Sequence, residues 1–258
     1  MPNIALVTGA SSGIGRALAG VHAKRGGDLI LVARREAELN TLKAELEAAH
    51  GITAHVFPCD LAQPGAAETL YAAVKAAGHR VDVLINNAGF GGHGRHHERE
   101  LQAEQAMIAV NVLSLVALTH EFARDMVAQG GGRILNVGST AGFMPGPKQA
   151  IYFATKAFVN SFSQAVDHEM RRKGVTSTVL VPGYVETEFA KVGDLEGTPM
   201  VTSGGMTAEA VAEIGYKGMM GGKLVVFDRF SLSFLLQWVV PFLPRRMVLN
   251  MITKMQTK

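Results

Sequence analysis

The sequence predicts an α/β fold, in which a doubly wound parallel sheet of seven strands carries helices on both faces. Short aliphatic runs alternate with longer helical patterns from one end of the chain to the other. Most of these runs are apolar at every residue, which is typical of strands covered on both faces. With 258 residues, of which 48% are hydrophobic, the chain is long enough to bury such a sheet. We therefore expect a single domain over residues 1–258.

The positions of these runs set the expected elements. Strands are predicted over residues 3–8, 28–33, 52–57, 81–86, 132–138, 175–181 and 222–227. Helices are predicted over residues 13–25, 36–49, 64–78, 99–129, 151–173 and 207–218. Ligands of such sheets bind beyond the carboxyl ends of the strands, so we expect the functional residues directly after strands.

Composition excludes several classes of function. The formal net charge of +3 comes without a concentrated basic stripe, which argues against nucleic-acid binding. The single cysteine, Cys59, cannot form an intrachain disulfide and fits a reducing compartment, so we expect a cytoplasmic protein. The apolar run at residues 4–7 is too short for a signal peptide. No apolar stretch is expected to approach the ~20 residues of a membrane-spanning helix.

The first predicted strand leads into a glycine-rich turn, residues 8–15, that opens a helix. Glycines let the backbone approach a pyrophosphate, and a helix N-terminus offers unpaired N–H groups and a favourable dipole. The spacing is Gly-x-x-x-Gly-x-Gly and not the better-known Gly-x-Gly-x-x-Gly. Its position after the first strand favours a dinucleotide site in a Rossmann-type fold, and a simple tight turn is the alternative.

The second strand ends in Ala33, Arg34 and Arg35. Folds that select NAD usually carry an acidic residue here to hold the ribose 2′-hydroxyl, whereas an arginine suits a 2′-phosphate. Guanidinium groups bind phosphate through forked hydrogen bonds. This sequence therefore favours NADP over NAD, unless both arginines are solvated and Glu36 neutralises one of them.

Two further strands end in polar sequences. Asp60 follows the third predicted strand. It could cap the next helix, or its neighbourhood could contact the adenine ring of the cofactor, and both can be true. The fourth leads into residues 86–89, Asn-Asn-Ala-Gly, which we expect to brace the loop beside the cofactor. Residues 90–97 then contain three histidines, but no cysteine accompanies them and a glycine loop gives no defined ligand geometry. We therefore predict no metal and expect this loop to line the cofactor or substrate cleft.

Tyr152 and Lys156 stand four residues apart at the start of a helical pattern, so their side chains share a face. A nearby cation lowers the pKa of a phenol, which is ordinarily about 10. Reaching pH 7 needs roughly 4 kcal/mol, which a lysine and a cationic cofactor ring could supply together in a partly desolvated cleft. Strand five delivers Ser139 close to this pair. An ordinary surface pair is the alternative.

Asn111 lies between two valines in the predicted helix 99–129. A buried amide in mid-helix is unfavourable unless it is hydrogen-bonded. We expect it either to bond a backbone carbonyl or to anchor a water that links Lys156 to solvent.

Taken in order, these motifs resemble the short-chain dehydrogenase/reductase superfamily over about residues 3–190, within an NADP-preferring bacterial branch. The resemblance implies an NADP(H)-dependent oxidoreductase that transfers a hydride between the nicotinamide and a carbonyl or alcohol, as a carbonyl reductase or alcohol dehydrogenase does. The alternative from another class is an NADP-binding sensor without turnover. The intact set of Ser139, Tyr152 and Lys156 argues against a sensor. A homodimer or homotetramer is expected.

The resemblance also implies residue roles. Tyr152 is the general acid/base, and Lys156 lowers its pKa and hydrogen-bonds the nicotinamide ribose. Ser139 orients the carbonyl, and Asn111 holds a proton-relay water. Thr155 stands where the family often has serine. The residues implied in cofactor binding are Gly9, Ser11, Ser12, Gly13, Ile14, Gly15, Arg34, Asp60, Leu61, Asn87, Ala88, Gly89, Tyr152, Lys156, Pro182, Gly183, Val185 and Thr187.

The remaining sequence belongs to the substrate side. Residues 184–206 are rich in Gly, Thr and Glu and are expected to form a mobile lid. An apolar cleft, implying a fairly apolar substrate, could be lined by Phe143, Met144, Phe189 and Met200, although such residues are more often core.

The C-terminal segment, residues 228–258, is unusual. Residues 230–243 are strongly apolar, and basic residues follow with no acidic residue after Asp228. An apolar face with flanking cations suits an anionic membrane surface. Covering the substrate cleft and packing against a second subunit are the alternatives.

Overall fold

The computed structural model of this protein describes residues 3–258, which are organised around one parallel β-sheet. Seven strands lie in the order β3-β2-β1-β4-β5-β6-β9. Leu6 of β1 is paired with Ile30 of β2 on one side and with Leu84 of β4 on the other. The strands are β1 (Ile4–Thr8), β2 (Asp28–Ala33), β3 (Ala54–Pro58), β4 (Val83–Asn86), β5 (Gly132–Val137), β6 (Val175–Val181), β7 (Val185–Glu186), β8 (Met206–Thr207) and β9 (Val225–Phe227). The predicted doubly wound parallel sheet is confirmed.

Helices cover both faces of the sheet. Helix Glu36–His50 is an example of how sequence spacing produces this, because Leu39, Leu42 and Leu46 repeat at helical spacing and are its buried residues. The helices that cover the sheet are Gly13–Ala23, Glu36–His50, Ala66–Ala76, Leu101–Ala128, Ala150–Met170 and Ala208–Met220. Each of these matches a predicted helix, with ends that differ by a few residues.

Helix Leu101–Ala128 differs from expectation in two ways. By length and composition it could cross a membrane, contrary to the prediction that no stretch is apolar enough. However, Leu118, Phe122 and Met126 on its inner face are buried in the hydrophobic core beneath the sheet, so it is a core helix. Its segment Ala109–Ser114 is π-helical, a local irregularity that is frequent at functional sites.

The sequence did not predict the short elements of the lid or the helices of the C-terminal segment. Strands β7 and β8 form a separate two-stranded ladder, and short helices Phe189–Val192 and Pro199–Thr202 lie between them in the predicted lid. Two further helices, Phe230–Phe242 and Arg245–Met255, form the C-terminal segment. Their inner residues pack in one cluster against Ala141 and Phe153; these inner residues are Leu236, Val240, Val248 and Ile252.

A buried chain of side-chain hydrogen bonds ties the centre of the sheet to two helices. Asn86 of β4 is the register partner of Asn136 of β5, and its Nδ2 donates to Asn136 Oδ1 at 2.9 Å. The same Nδ2 donates to Thr119 Oγ1 at 3.0 Å, and Asn136 Nδ2 donates to Ser163 Oγ at 3.0 Å. These groups are buried, so each bond compensates for water lost on folding.

This network predicts a large effect of Asn136→Leu. The leucine leaves the Asn86 amide and the Ser163 hydroxyl short of a buried partner, and we expect the free energy of unfolding to fall by about 2–4 kcal/mol. Urea unfolding measures the loss. Asn40→Leu, at an exposed position of helix Glu36–His50, is the matched control and should change stability by less than about 0.5 kcal/mol. Equal effects of the two substitutions would show that the network does not stabilise the sheet.

Candidate active site

One cleft of about 630 Å³ opens at the carboxyl ends of the strands. Loops after β1 to β6 contribute to its lining, as expected for a sheet of this topology. All the residues predicted to contact a cofactor line it except Gly15. Ser139, Tyr152 and Lys156 line it as well, whereas Asn111 lies behind it.

The glycine turn after β1 is folded for close approach. Gly9 adopts a φ of +66°, and a Cβ there would lie 2.8 Å from Asn87 Nδ2. A Cβ on Gly15 would clash with the carbonyl oxygen of Gly9, so the helix start packs directly beneath the turn. Asn87 Nδ2 donates to Thr8 O at 3.0 Å and fixes the turn from the β4 side, as predicted for this amide. The resulting cradle at a helix N-terminus fits a pyrophosphate.

Arg35, which was weighed with Arg34 as a phosphate ligand, contacts this turn. Its Nη2 donates to Ser11 Oγ at 3.2 Å and forms an ion pair with Glu188 at 3.0 Å. Glu38 is a more distant partner at 3.9 Å. The carboxylates that face Arg35 are therefore Glu188 and Glu38, and not Glu36 as the alternative interpretation had it.

Arg34 also lines the cleft, beside Asp60. Within residues 3–258 its guanidinium forms no ion pair closer than 4 Å. Asp60 Oδ1 accepts from Ala62 N at 3.2 Å and Oδ2 from Gln63 Nε2 at 3.1 Å, so this carboxylate caps the following turn and lines the cleft at once. The Gln63 hydrogen bond and the more distant charge of Arg34 lower the pKa of Asp60 and keep it ionised.

Ser139 is fixed on three sides. Its Oγ accepts from Ala141 N at 3.1 Å, which leaves the hydroxyl proton free to point into the cleft. Asn160 holds its backbone, because Asn160 Oδ1 accepts from Ser139 N at 3.4 Å and Asn160 Nδ2 donates to Ser139 O at 2.9 Å. The Ser139 side chain lies close enough to the Tyr152 phenol to lower its pKa. Asn160 was missed in the sequence because nothing local distinguishes it from other polar helix residues.

Tyr152 and Lys156 share one face of helix Ala150–Met170, and the Lys156 ammonium lies 5.9 Å from the Tyr152 ring centre. Lys156 is only 6% exposed, and its Nζ donates to Val137 O at 2.7 Å. Burial raises the pKa of Tyr152 to about 12, against the lowering effect of the Ser139 side chain. Burial also lowers the pKa of Lys156 to about 8. Desolvation is thus the largest influence on the Tyr152 pKa, and the lowering expected from Lys156 together with a cationic cofactor ring stays a prediction.

The Asn111 side chain has protein partners for both ends of its amide. Its Oδ1 accepts from Phe90 N at 3.1 Å, and its Nδ2 donates to Phe90 O at 3.0 Å and to Thr155 Oγ1 at 3.1 Å. The amide therefore links the loop after β4 to the helix that carries Tyr152. Asn111 does bond a backbone carbonyl, which was one of the two alternatives, but this carbonyl belongs to Phe90 in a distant loop and not to a neighbouring residue. Thr155, which stands where the family often has serine, takes part in this contact by accepting from Asn111 Nδ2.

The substrate side of the cleft is covered by the lid and by the C-terminal helix. Phe189 of the lid lies 5.3 Å from the Tyr152 ring, measured between ring centres. Met144 and Met200 line the cleft as expected. Phe143 does not line it and packs instead against Phe227, with 5.4 Å between ring centres. The C-terminal helix adds lining residues that the sequence did not indicate, namely Ile252, Met255 and Gln256.

Gln256 fastens the C-terminal helix over the cleft. Gln149 Nε2 donates to Gln256 Oε1 at 2.6 Å, and His93 Nε2 donates to the Gln256 backbone carbonyl at 2.6 Å. Both glutamines are buried. The last helix therefore covers the cleft, which is one of the alternatives considered for the C-terminal segment. The contacts of Gln256 with Gln149 and His93 could not be predicted, because these residues are more than a hundred positions apart in the sequence.

The three histidines of the loop 90–97 have separate surroundings. His93 contacts Gln256, and His96 Nδ1 lies 3.1 Å from Glu104 Oε2. In the part of the chain that the structure describes, residues 3–258, no three His, Cys, Asp or Glu side chains form a group that could hold a metal. The loop itself contributes Phe90 to the cleft.

Comparison with known proteins adds independent information. A family model described as short chain dehydrogenase matches residues 3–195. A sulfoacetaldehyde reductase of Chromohalobacter salexigens is 36% identical over 220 residues, which cover 83% of this chain and 86% of that protein. A short-chain dehydrogenase from Sphingobium yanoikuyae, solved with NADPH, has a TM-score of 0.84 and 30% identity and covers 91% of this chain and 90% of its own. A related protein from Burkholderia phymatum, solved with NAD, has a TM-score of 0.81 and 27% identity and covers 92% of each chain.

The burial of Lys156 predicts a pH dependence of stability. The folded protein releases this proton near pH 8 and the unfolded chain near pH 10.5, so between these values the unfolded state binds more protons and the free energy of unfolding rises with pH. Relative to Lys156→Met, the wild type should gain up to about 3 kcal/mol between pH 7.5 and 10.5.

Urea unfolding of the nucleotide-free proteins at the two pH values measures this difference. Lys217→Met, at an exposed lysine, is the control and should show no such change relative to wild type. A difference between wild type and Lys156→Met that stays constant with pH would contradict burial of a charged lysine.

Proposed function

This chain belongs to the short-chain dehydrogenase family, and we propose that it is an NADP(H)-dependent carbonyl reductase or alcohol dehydrogenase for a fairly apolar substrate. Its relatives and structural neighbours support hydride transfer between a nicotinamide cofactor and a carbonyl or alcohol. The observation that carries the proposal is that Ser139, Tyr152 and the buried Lys156 meet on the wall of one cleft of dinucleotide size, with the Lys156 ammonium 5.9 Å from the Tyr152 ring centre. A sensor without turnover would have no use for this arrangement.

The cofactor supplies the hydride and, when oxidised, a positively charged ring. The protein supplies proton transfer and orientation. In reduction, the substrate oxygen accepts hydrogen bonds from the Ser139 and Tyr152 hydroxyls, and Tyr152 gives its proton to that oxygen. Lys156 uses one of its three N–H groups on Val137 O, which leaves donors for a ribose hydroxyl. Asn160 and Asn111 hold the backbone of Ser139 and of Phe90, so the reacting groups are oriented before substrate binds.

The preference for NADP over NAD rests on the arginines after β2. Neighbours solved with NADPH and with NAD both resemble this chain, so similarity alone does not distinguish the two cofactors. Arg34 lines the cleft and has no carboxylate in ion-pair contact within residues 3–258, and no acidic residue stands at position 33 to hold a ribose 2′-hydroxyl. A free guanidinium at this position suits a 2′-phosphate.

The apolar substrate is inferred from the walls on the far side of Tyr152. Phe189 and Met200 come from the lid, Met144 from the loop after β5, and Ile252 and Met255 from the C-terminal helix. Such walls favour a ketone or alcohol with an aliphatic or ring-bearing body.

Assembly as a homodimer or homotetramer and a cytoplasmic location stay predictions.

Tyr152→Phe tests the catalytic assignment. The variant keeps the ring contacts and loses the proton donor, so we expect NADPH binding to persist and kcat to fall by about 10²- to 10⁴-fold. NADPH absorbance is followed with a panel of ketones, aldehydes and alcohols, and NADPH binding by fluorescence. Tyr71→Phe, whose hydroxyl contacts Asp125 away from the cleft, is the matched control. Unchanged turnover in Tyr152→Phe would refute the assignment, and binding without any turnover in the wild type would favour the sensor.

Arg34→Ala tests cofactor selection. Loss of a guanidinium that binds the 2′-phosphate should raise the Kd for NADPH by roughly tenfold or more and leave the Kd for NADH nearly unchanged. Arg16→Ala, in the first helix and paired with Glu45, is the control and should affect neither. Equal losses for NADPH and NADH in Arg34→Ala would remove the basis for phosphate selection.

A further inference from the structure

The two C-terminal helices expose a row of large apolar side chains. Phe230, Trp238 and Phe242 are 86%, 67% and 81% exposed. We call the row the C-terminal apolar face; its members are Phe230, Phe234, Trp238, Phe242, Met247 and Met251, all exposed. Single exposed apolar residues are normal on protein surfaces, but six large ones on two consecutive helices are typical of an interaction site.

This face is not a poorly packed part of the core. Within helix Phe230–Phe242, Leu236 and Val240 repeat four residues apart on the inner side and are buried. Phe230, Phe234 and Trp238 repeat at the same interval on the outer side. The helix is therefore apolar on both sides, which a helix at the surface of a water-soluble protein does not need.

The charges of this segment are all of one sign. Five of the 25 Lys and Arg residues of the chain and none of its 22 Asp and Glu residues lie within residues 229–258. Arg229, Arg245, Arg246 and Lys254 are exposed and form no ion pair closer than 4 Å within the described residues, whereas Lys258 pairs with Asp194. The segment that carries the apolar face is therefore positively charged throughout, in a protein whose remaining residues are net negative.

We propose that the C-terminal apolar face binds an anionic lipid bilayer. Apolar side chains, a tryptophan and flanking arginines are the combination that inserts at the headgroup boundary of such a membrane. Helix Phe230–Phe242, about 20 Å long, is too short to cross a hydrocarbon core of about 30 Å, so it lies in the plane of the interface.

Charge favours a bilayer over a second copy of this chain as the occupant. Most homo-oligomer interfaces are two-fold and bring the same surface of both copies together. A two-fold contact here would oppose the arginines of one copy to those of the other, and the segment has no carboxylate after Asp228 to separate them. An anionic headgroup layer pairs the same cations instead.

The face adjoins the cleft. Arg229 and Leu232 at the start of the segment line it, and so do Ile252 and Met255 of the last helix. Docking on a bilayer therefore brings the apolar side of the cleft next to lipid. The docking itself does not depend on the proposed activity, and its test uses no substrate.

Trp238 makes the test specific, because it is the only tryptophan of the chain. The full-length protein is mixed with vesicles of phosphatidylcholine alone or with phosphatidylglycerol added. Flotation measures binding, and tryptophan fluorescence with brominated lipids measures insertion. We expect flotation with the anionic vesicles, a blue shift of the emission and quenching by lipid-borne bromine, all weakened at high salt.

Variants locate the binding surface. Trp238→Glu, followed by flotation, and the double variant Arg245→Gln with Arg246→Gln should each weaken binding to anionic vesicles by about tenfold or more. Leu101→Glu is the matched control, since Leu101 is 64% exposed but lies on another helix, and it should bind as the wild type does. Circular dichroism checks that each variant is folded.

The other outcomes overturn the proposal. Failure of the wild type to float with anionic vesicles would do so, as would equal flotation of all variants. A wild-type oligomer that dissociates in Trp238→Glu without any vesicle binding, seen by light scattering, would show that the face is a contact between copies. Turnover by a protein that does not bind vesicles would leave the proposed function intact while excluding the membrane.

Discussion

A buried ammonium group is the constraint around which the cleft is built. Lys156 lies beneath the carboxyl ends of β4 and β5 and donates to the carbonyl of Val137. Burying a charge is unfavourable unless it is hydrogen-bonded, so the strand end and the helix must keep their relative positions. Gly89 leaves room for this arrangement, because a Cβ there would approach Asn111 Oδ1 to 3.0 Å and press on that amide. The position of Tyr152 follows from the same helix.

Around this point, four of the loops that leave strands are fixed by a polar side chain from elsewhere in the chain. Asn87 holds the turn after β1, Asn111 the loop after β4, and Asn160 the loop after β5. Asp228, which is buried, accepts from Gly183 N at 2.9 Å and fixes the loop after β6. Because these bonds go to backbone groups, they set the path of the loops and leave the side chains of Ser139 and Tyr152 free for chemistry.

The sequence predicted what is local and missed what depends on distant contacts. Strand positions followed from continuous apolar runs, and the Tyr152–Lys156 pair from helical spacing. Gln149 and Gln256, by contrast, meet across more than a hundred residues, and neither stands in a recognisable pattern. The effect of burial, which raises the Tyr152 pKa, was not predicted because burial is a property of the whole fold. The two-residue strands β7 and β8 are too short to leave an alternating pattern.

The substrate side of the cleft, unlike the cofactor side, is built in part from residues beyond the match to the family model. The cofactor side is built from loops within residues 3–195, which match the family model, whereas Ile252, Met255 and Gln256 come from beyond it. Mutations at Ile252, Met255 and Gln256 can therefore change which substrates bind, while the residues for proton transfer and cofactor binding stay the same. Related enzymes with different substrates should therefore differ most at these positions. For directed evolution toward other carbonyl substrates, the same positions are the first to randomise.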